Sequence, residues 1–303
     1  MSQPIVSSVG DSQMQKRFIE SHGPFIAEFR NVEALKNRIF DLTIEKYNQI
    51  PRTSDGPLAH DTPEFETRLA HIVVNSLAKA AFEDFGELLI LAGNGLGFGA
   101  TKTLRSVYER AVTAAYIGSK PSEAAIFVEQ DAIDMHKLRQ RLFEIAPELK
   151  ADFTPEDLKA LEDRYQQSRA KAKTETCKHC GQPTNDDAWA RVGLDKRAEA
   201  VDKAMGTDFL TLYAFCYLVP TYHIHAKASG LQMRLEKTDA GWNDKNSSEH
   251  EAHGAMMRGH CLLLKLFKQQ NDYFKLNLED DIRARWDAFD AIWGAPDCKG
   301  KPT

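Results

Sequence analysis

Apolar residues recur along this chain at helical spacing almost from end to end. Ile26, Phe29, Val32, Leu35, Ile39, Leu42 and Tyr47 follow one another at steps of three, four and five, which predicts a helix over about 13–50. "IPRTSDGPLAHDTP" (50–63), with three prolines and a Gly, predicts a loop. Asp61 or Thr62 then caps a helix that opens at Pro63 and runs to about residue 92. "GNGLGFGA" (93–100) breaks it, and a further helix reaches about Gly118. Others follow over about 122–145, 155–173, 195–205 and 207–226. The segment 155–173 is strongly charged, the pattern of a solvated face or arm. "GLQMRLEKTDAGWNDKNSS" reads as irregular. Ser248 and Glu251 match a capping box opening the helix of "AMMRGHCLLLKLFKQQNDYF", and a last helix spans about 279–293.

No stretch alternates with period two in β-branched residues, and no repeat is visible. The expected fold is all-α: a multi-helix bundle with an inserted loop and C-terminal helices. Its parts are an N-terminal helical segment (1–60) and a single bundle core built from 61–150 and 195–275. A charged arm and Cys-rich loop (151–194) are inserted, and a C-terminal helix and tail (276–303) follow.

Composition narrows the function classes. The 303 residues carry a net charge of −5, so no global basic field draws in nucleic acid. No apolar run approaches the roughly 18 residues of a membrane span, and the N-terminus lacks the basic start and apolar core of a secretory signal. The five cysteines (177, 180, 216, 261 and 298) show no framework spacing. That pattern predicts a reducing, cytoplasmic setting.

Two stretches invite chemical readings. "LLILAGNGLGFGA" mimics a dinucleotide loop, but helix precedes and follows it, so a helix–helix joint is expected. Free N–H groups beside Thr101, Lys102 and Thr103 would suit an anion. In "TYHIHAKASG" (221–230), stepping back by fours from His225 gives Thr221, Tyr217 and Tyr213 on one helical face. His223 points elsewhere, and Pro220 should kink the helix. Arg105 and Glu109 form a second ladder, with Tyr108 and Tyr116 close to it. Packed together, these ladders would place an imidazole beside a guanidinium, the pairing that moves a proton and neutralises charge on a phosphodiester. The same groups would equally satisfy one another as a buried structural network.

Cys177 and Cys180, around His179, supply half of a tetrahedral zinc site, to be completed by distant histidines or a second subunit; a plain exposed loop is the alternative. His250 and His253 lie one turn apart without the carboxylate spacing of a bundle metal site, so solvent-facing histidines are expected.

"TLRSVYERAVTAAYIGSKPSEAAIFVEQDA" (103–132) resembles a bacterial family without assigned function, the domain-of-unknown-function family 5677. The matching positions are Arg105, Ser106, Tyr108, Glu109, Tyr116, Ile117 and Pro121, then Trp189, Tyr217, Thr221 and His225, within a resemblance covering about 65–270. Thr221 stands where the family has Ser. The resemblance implies a distantly HEPN-like helical core, a class in which many members are ribonucleases of defence systems. The usual HEPN signature is an Arg, four to six residues, then a His. Here it occurs once, from Arg17 to His22, outside the resembling region.

Two expectations follow. One is a metal-independent ribonuclease or nucleotide-acting protein of defence or stress response, with Arg105, Glu109, Tyr217, Thr221 and His225 as its centre. The other is a non-catalytic helical binding module with a buried Arg–Glu–His network and a protein partner. Either admits a homodimer, and neither involves a membrane.

Overall fold

The computed structural model describes residues 12–50, 62–171, 192–225, 228–238, 241–244 and 249–294. The first helix, α1 (Ser12–Gln49), is interrupted at His22, whose backbone leaves helical geometry (φ −121°, ψ 18°) two residues before Pro24. Proline has no N–H for the preceding turn, and its ring crowds that turn's carbonyl, so the helix bends there. α2 (Pro63–Gly93) starts where Thr62 accepts a hydrogen bond from the Phe65 N–H (3.2 Å), with Pro63 in the first turn and Glu64 and Glu66 beside the positive end of the helix dipole. It turns into α3 (Gly97–Ser119) through Asn94–Leu96, with Gly95 at φ +75°. That conformation favours glycine, and helix stands on both sides of it.

α4 (Glu123–Ile145) and α5 (Pro155–Lys171), joined by a 3₁₀ turn at Pro147–Asp152, form an antiparallel arm. After α6 (Leu194–Met205) the chain runs through α7 (Phe209–Tyr213), one π-helical turn (Ala214–Leu218) and α8 (Val219–Ile224). The π turn ends two residues before Pro220. A wider turn accommodates a carbonyl that proline cannot serve. α9 (Ala228–Gln232) leads into an antiparallel hairpin of β1 (Leu235–Thr238) and β2 (Gly241–Asp244), registered from Leu235 opposite Asp244 to Thr238 opposite Gly241. This segment reads as irregular in sequence because four-residue strands are too short to show alternation. The long α10 (Glu249–Phe274) and α11 (Glu279–Trp293) close the fold.

The fold is therefore an all-α multi-helix bundle carrying one small hairpin. Its centre is α2, α3 and α10 packed on one another. α1 and α11 cover one side, and α6–α8 lie against α3. Val107, Tyr108, Ala111, Val112, Ala114 and Ala115 of α3 are fully buried, as are Leu262, Leu263 and Leu264 of α10. At Gly259 a Cβ would lie 2.5 Å from the Phe85 ring, so α10 approaches α2 closely only because the side chain is absent. Among the described residues no helix is long and apolar enough to cross a membrane. Residues 1–11 and 172–191 lie outside the described part, and with them Cys177, His179, Cys180 and Trp189; so do Ser248 and Cys298.

Candidate functional site

Arg105 and Glu109 lie one turn apart on α3. The Arg105 Nε–H donates to Glu109 Oε1 at 3.0 Å. The other end of the guanidinium meets the π turn. Nη2 donates to the Tyr217 hydroxyl at 3.3 Å, and Cζ sits 4.5 Å from that ring's centre. Tyr217 in turn stacks on Tyr213 (5.1 Å between centres, 19° between planes). Beneath them Tyr108 is fully buried, and its hydroxyl donates to the Phe209 carbonyl at 2.9 Å. Burial pushes the Tyr108 phenol far above its ordinary range, which keeps it a neutral donor.

Arg197 joins this group from α6. Its Nη1 donates to Thr113 Oγ1 at 3.0 Å. Burial lowers its pKa, while the charge of Glu109 and the nearby phenols of Tyr116, Tyr217 and Tyr108 act the other way. Arg197 belongs to no motif in the sequence, yet a local signal for it exists. Leu194, Arg197, Ala198 and Val201 occupy i, i+3, i+4 and i+7, and the other three are buried. An arginine inside an apolar stripe marks a polar partner beneath it.

The histidines reverse the expected order. His225 ends α8 in extended backbone (φ −87°, ψ 143°) and is exposed. Among the described residues no hydrogen bond, ion pair or ring contact joins it to Arg105. His223 is the inward one: it is buried, and its ring lies 5.1 Å from Phe98. Neither of its ring nitrogens has a hydrogen-bond partner, and burial lowers its pKa, with the Glu251 charge opposing. Steps of four keep to one face only along an unbroken helix. The π turn and the helix end at His225 break the register, and eight residues separate Tyr217 from His225, about 12 Å along a helix. Thr221 serves its own helix, with Oγ1 donating to the Tyr217 carbonyl at 2.6 Å. The structure thus gathers Arg105, Glu109 and Tyr217 and leaves His225 apart.

At the start of α3, Thr101 is buried and its hydroxyl donates to Glu251 Oε2 at 3.4 Å. Thr103 donates to the Gly99 carbonyl at 3.3 Å, and Lys102 is half-buried. α3 starts at Gly97 and the Ala100 N–H already donates to the Leu96 carbonyl, so the N–H groups at 101–103 lie inside the helix and are not free for an anion.

A second polar group lines a cavity of about 280 Å³ bounded by Arg17, Ser21 and His22 of α1, Gly95 of the α2–α3 turn, and Glu249 and His253 of α10. His22 Nδ1 lies 3.2 Å from the Phe18 carbonyl, and its Nε2 lies 3.4 Å from His253 Nδ1. Burial lowers the His253 pKa, and His22, His250 and Arg258 add to the effect. Arg17 and His22, the one occurrence of the Arg–His spacing, therefore face the same cavity as a histidine 231 positions away. Among the described residues no group of three or more His, Cys, Asp or Glu side chains is arranged to hold a metal ion.

Residues 71–241 match the family model described as a family of unknown function, DUF5677. The match covers more than half of the chain and holds all of the Arg105 group, whereas His22, Glu249 and His253 fall outside it. No curated protein and no solved structure matches the chain.

Proposed function

The chain belongs to the family of unknown function DUF5677, and from that premise we propose that it is a non-catalytic helical binding module whose Arg105 group braces a docking face for a protein partner. The observation that carries this reading is that the Arg105 guanidinium is engaged by its own chain, on Glu109 and on Tyr217. A cation already paired and stacked ties one helix to another and has little left to offer a phosphate. The segment it ties down presents apolar side chains outward: Leu210, Phe215 (54% exposed), Leu218 and Tyr222, with the Arg258 guanidinium 4.9 Å from the Phe215 ring. Exposed aromatic and aliphatic groups rimmed by arginine are the composition of a protein-docking surface.

The test sets RNA cleavage against thermal stability. Purified protein should leave RNA intact, and His225→Ala should leave the thermal midpoint unchanged, because that side chain is exposed. Arg105→Ala should lower the midpoint by roughly 3–6 °C, the loss of one charge-assisted hydrogen-bond group in a domain of this size. RNA cleavage that disappears in His225→Ala overturns the proposal.

A second reading keeps RNA as the ligand and the distant HEPN-like relationship as its ground. It is supported by Arg17 and His22, spaced as in the HEPN signature and lining one cavity with His253. Cleavage that survives His225→Ala and is lost in His22→Ala would select it.

A further inference from the structure

The outer face of α4 carries an apolar stripe that nothing described in this chain covers. Val128, Met135, Leu138, Leu142 and Ile145 are each between 36% and 70% exposed. Their spacing is seven, three, four and three residues, the alternating three–four step of a heptad seam, and the missing position is taken by Asp131. The stripe runs about 26 Å along the helix. Gln130, Ile133 and His136, which are buried, lie on the opposite face against the rest of the chain. Scattered exposed leucines are ordinary, but five apolar side chains in heptad register on one helix are a seam in want of a second helix.

We propose that the occupant is α4 of a second copy, packed antiparallel about a two-fold axis between Met135 and Leu138. The charges beside the stripe select this partner and this register. Asp134 and Arg141 are both exposed and stand one heptad apart on the same flank. Asp134 accepts from Gln130 at 2.8 Å, and Arg141 donates to Glu144 at 2.7 Å, the latter with both side chains exposed, so each keeps an outward face for a partner. In the antiparallel pair, Met135 meets Leu138 of the second copy and Val128 meets its Ile145. Each Asp134 then faces an Arg141 across the seam, twice by symmetry. This register also sets Asp131 opposite Leu142 of the second copy, twice by symmetry, between the four apolar layers. Sliding the helices by one heptad keeps four apolar layers but brings Arg139 against Arg139 and Arg141 against Arg141. Running them parallel would set Asp131 on Asp131 inside the seam. Both alternatives place like charges together: the slid register sets arginines against each other with no apolar layer gained, and the parallel pairing sets two carboxylates against each other within the seam. The surface is self-complementary, as a two-fold interface requires.

Light scattering or sedimentation equilibrium of the full chain tests this. The mass should rise with concentration from 34.1 kDa toward twice that value. Leu138→Glu should hold the protein at the monomer mass with its helical circular dichroism and thermal midpoint at monomer concentrations unchanged, because Leu138 is 58% exposed in the single chain. Asp134→Arg or Arg141→Asp alone should weaken association by about tenfold, and the double exchange should restore it. A wild-type protein that stays monomeric at every concentration reached overturns the proposal. So does a dimer indifferent to Leu138→Glu, and so does a double exchange that fails to restore the association weakened by each single reversal.

Discussion

The bundle and the arm of this protein are held together by different physics. In the bundle, α2, α3 and α10 bury continuous apolar faces, with the buried polar groups of α10 gathered mostly toward its C-terminal end at Gln269, Gln270 and Asn271. In the arm, α5 buries no large apolar side chain, and among its described side chains only Ser168 is buried. The two arm helices are joined by directional contacts. His136 of α4 stacks on Tyr165 of α5 (3.7 Å, 6° between planes), and its Nδ1 lies 3.4 Å from Glu162 Oε2. Ser168 donates to Glu129 at 2.5 Å, and Phe143 meets Phe153 edge-on. Thr154 and Asp157 exchange hydrogen bonds at the start of α5, with the Asp157 N–H donating to Thr154 Oγ1 at 3.1 Å and the Thr154 N–H to Asp157 Oδ2 at 3.2 Å. Burial of apolar area is cooperative across a whole core, whereas contacts of the second kind act pair by pair. The bundle should therefore unfold as one unit and the arm should open by itself.

The largest effect expected is in the bundle. Phe85 is fully buried, lies against Gly259, and meets Phe25 edge-on at 6.4 Å. Phe85→Ala should cost about 3–5 kcal/mol in urea unfolding, the range for removing a core aromatic ring. Leu138→Ala on the exposed face of the arm should change the same quantity in the monomer by less than about 0.5 kcal/mol. Equal losses at the two positions would erase the distinction between the regions.

Acid should separate the regions next. His260 is fully buried among α1, α10 and α11, with the Phe25 ring at 5.4 Å and the Phe289 ring at 5.0 Å. The Trp293 Nε1–H donates to its Nδ1 at 3.1 Å, so the neutral ring carries its proton on Nε2. Burial, with the Arg285 charge adding to it, pushes its pKa down to about 3 from the ordinary 6.5. The unfolded chain then takes up a proton first as pH falls. Stability is full above about pH 6.5 and declines toward pH 3 by about 1.4 kcal/mol per pH unit. At pH 5 the loss from this group is on the order of 2 kcal/mol. Urea unfolding at pH 7 and pH 5 should show that loss in the wild type, and His260→Gln should reduce it. A variant as acid-sensitive as the wild type would remove His260 as the cause.

Much of this fold is legible in the residues. The apolar steps from Ile26 to Tyr47, Thr62 before Pro63, and the turn at Asn94–Leu96 each declare a helix or its end, because the determinants are local. What escaped depends on register or on distance. The π turn at 214–218 adds a residue to the helix, so any face drawn from Tyr213 to His225 at an unbroken period goes wrong at its far end, and the two histidines exchange roles. Arg105 and Glu109 pair one turn apart and could be read directly, whereas Tyr217 reaches them only through packing of α3 against the π turn. The meeting of His22 and His253 across the chain leaves no local trace at all. The α4 stripe shows a further limit. A heptad of apolar residues has the same pattern whether its partner belongs to its own chain or to another, and only the exposure of Met135, Leu138 and Ile145 separates the two cases.

The smallest effect expected is the most specific to the arm. Tyr165 contributes one face of the stack on His136 and lies 3.2 Å, through its hydroxyl, from Arg169 Nη1. Tyr165→Ala removes that stack and leaves the neighbouring Ser168–Glu129 bond in place. An aromatic pair of this kind contributes about 0.5–1.5 kcal/mol beyond its buried area. Because the arm opens locally, the loss should appear as amide exchange roughly 2–10-fold faster across 123–171, while the slowest amides of α3 and α10 keep their rates. The global midpoint should move by less than about 2 °C, since the Tyr165 ring takes no part in the packing of α2, α3 and α10 that holds the bundle. If the substitution speeds exchange in α3 and α10 as much as in α4 and α5, the arm is part of the same cooperative unit as the core, and its polar interior contributes to the stability of the whole.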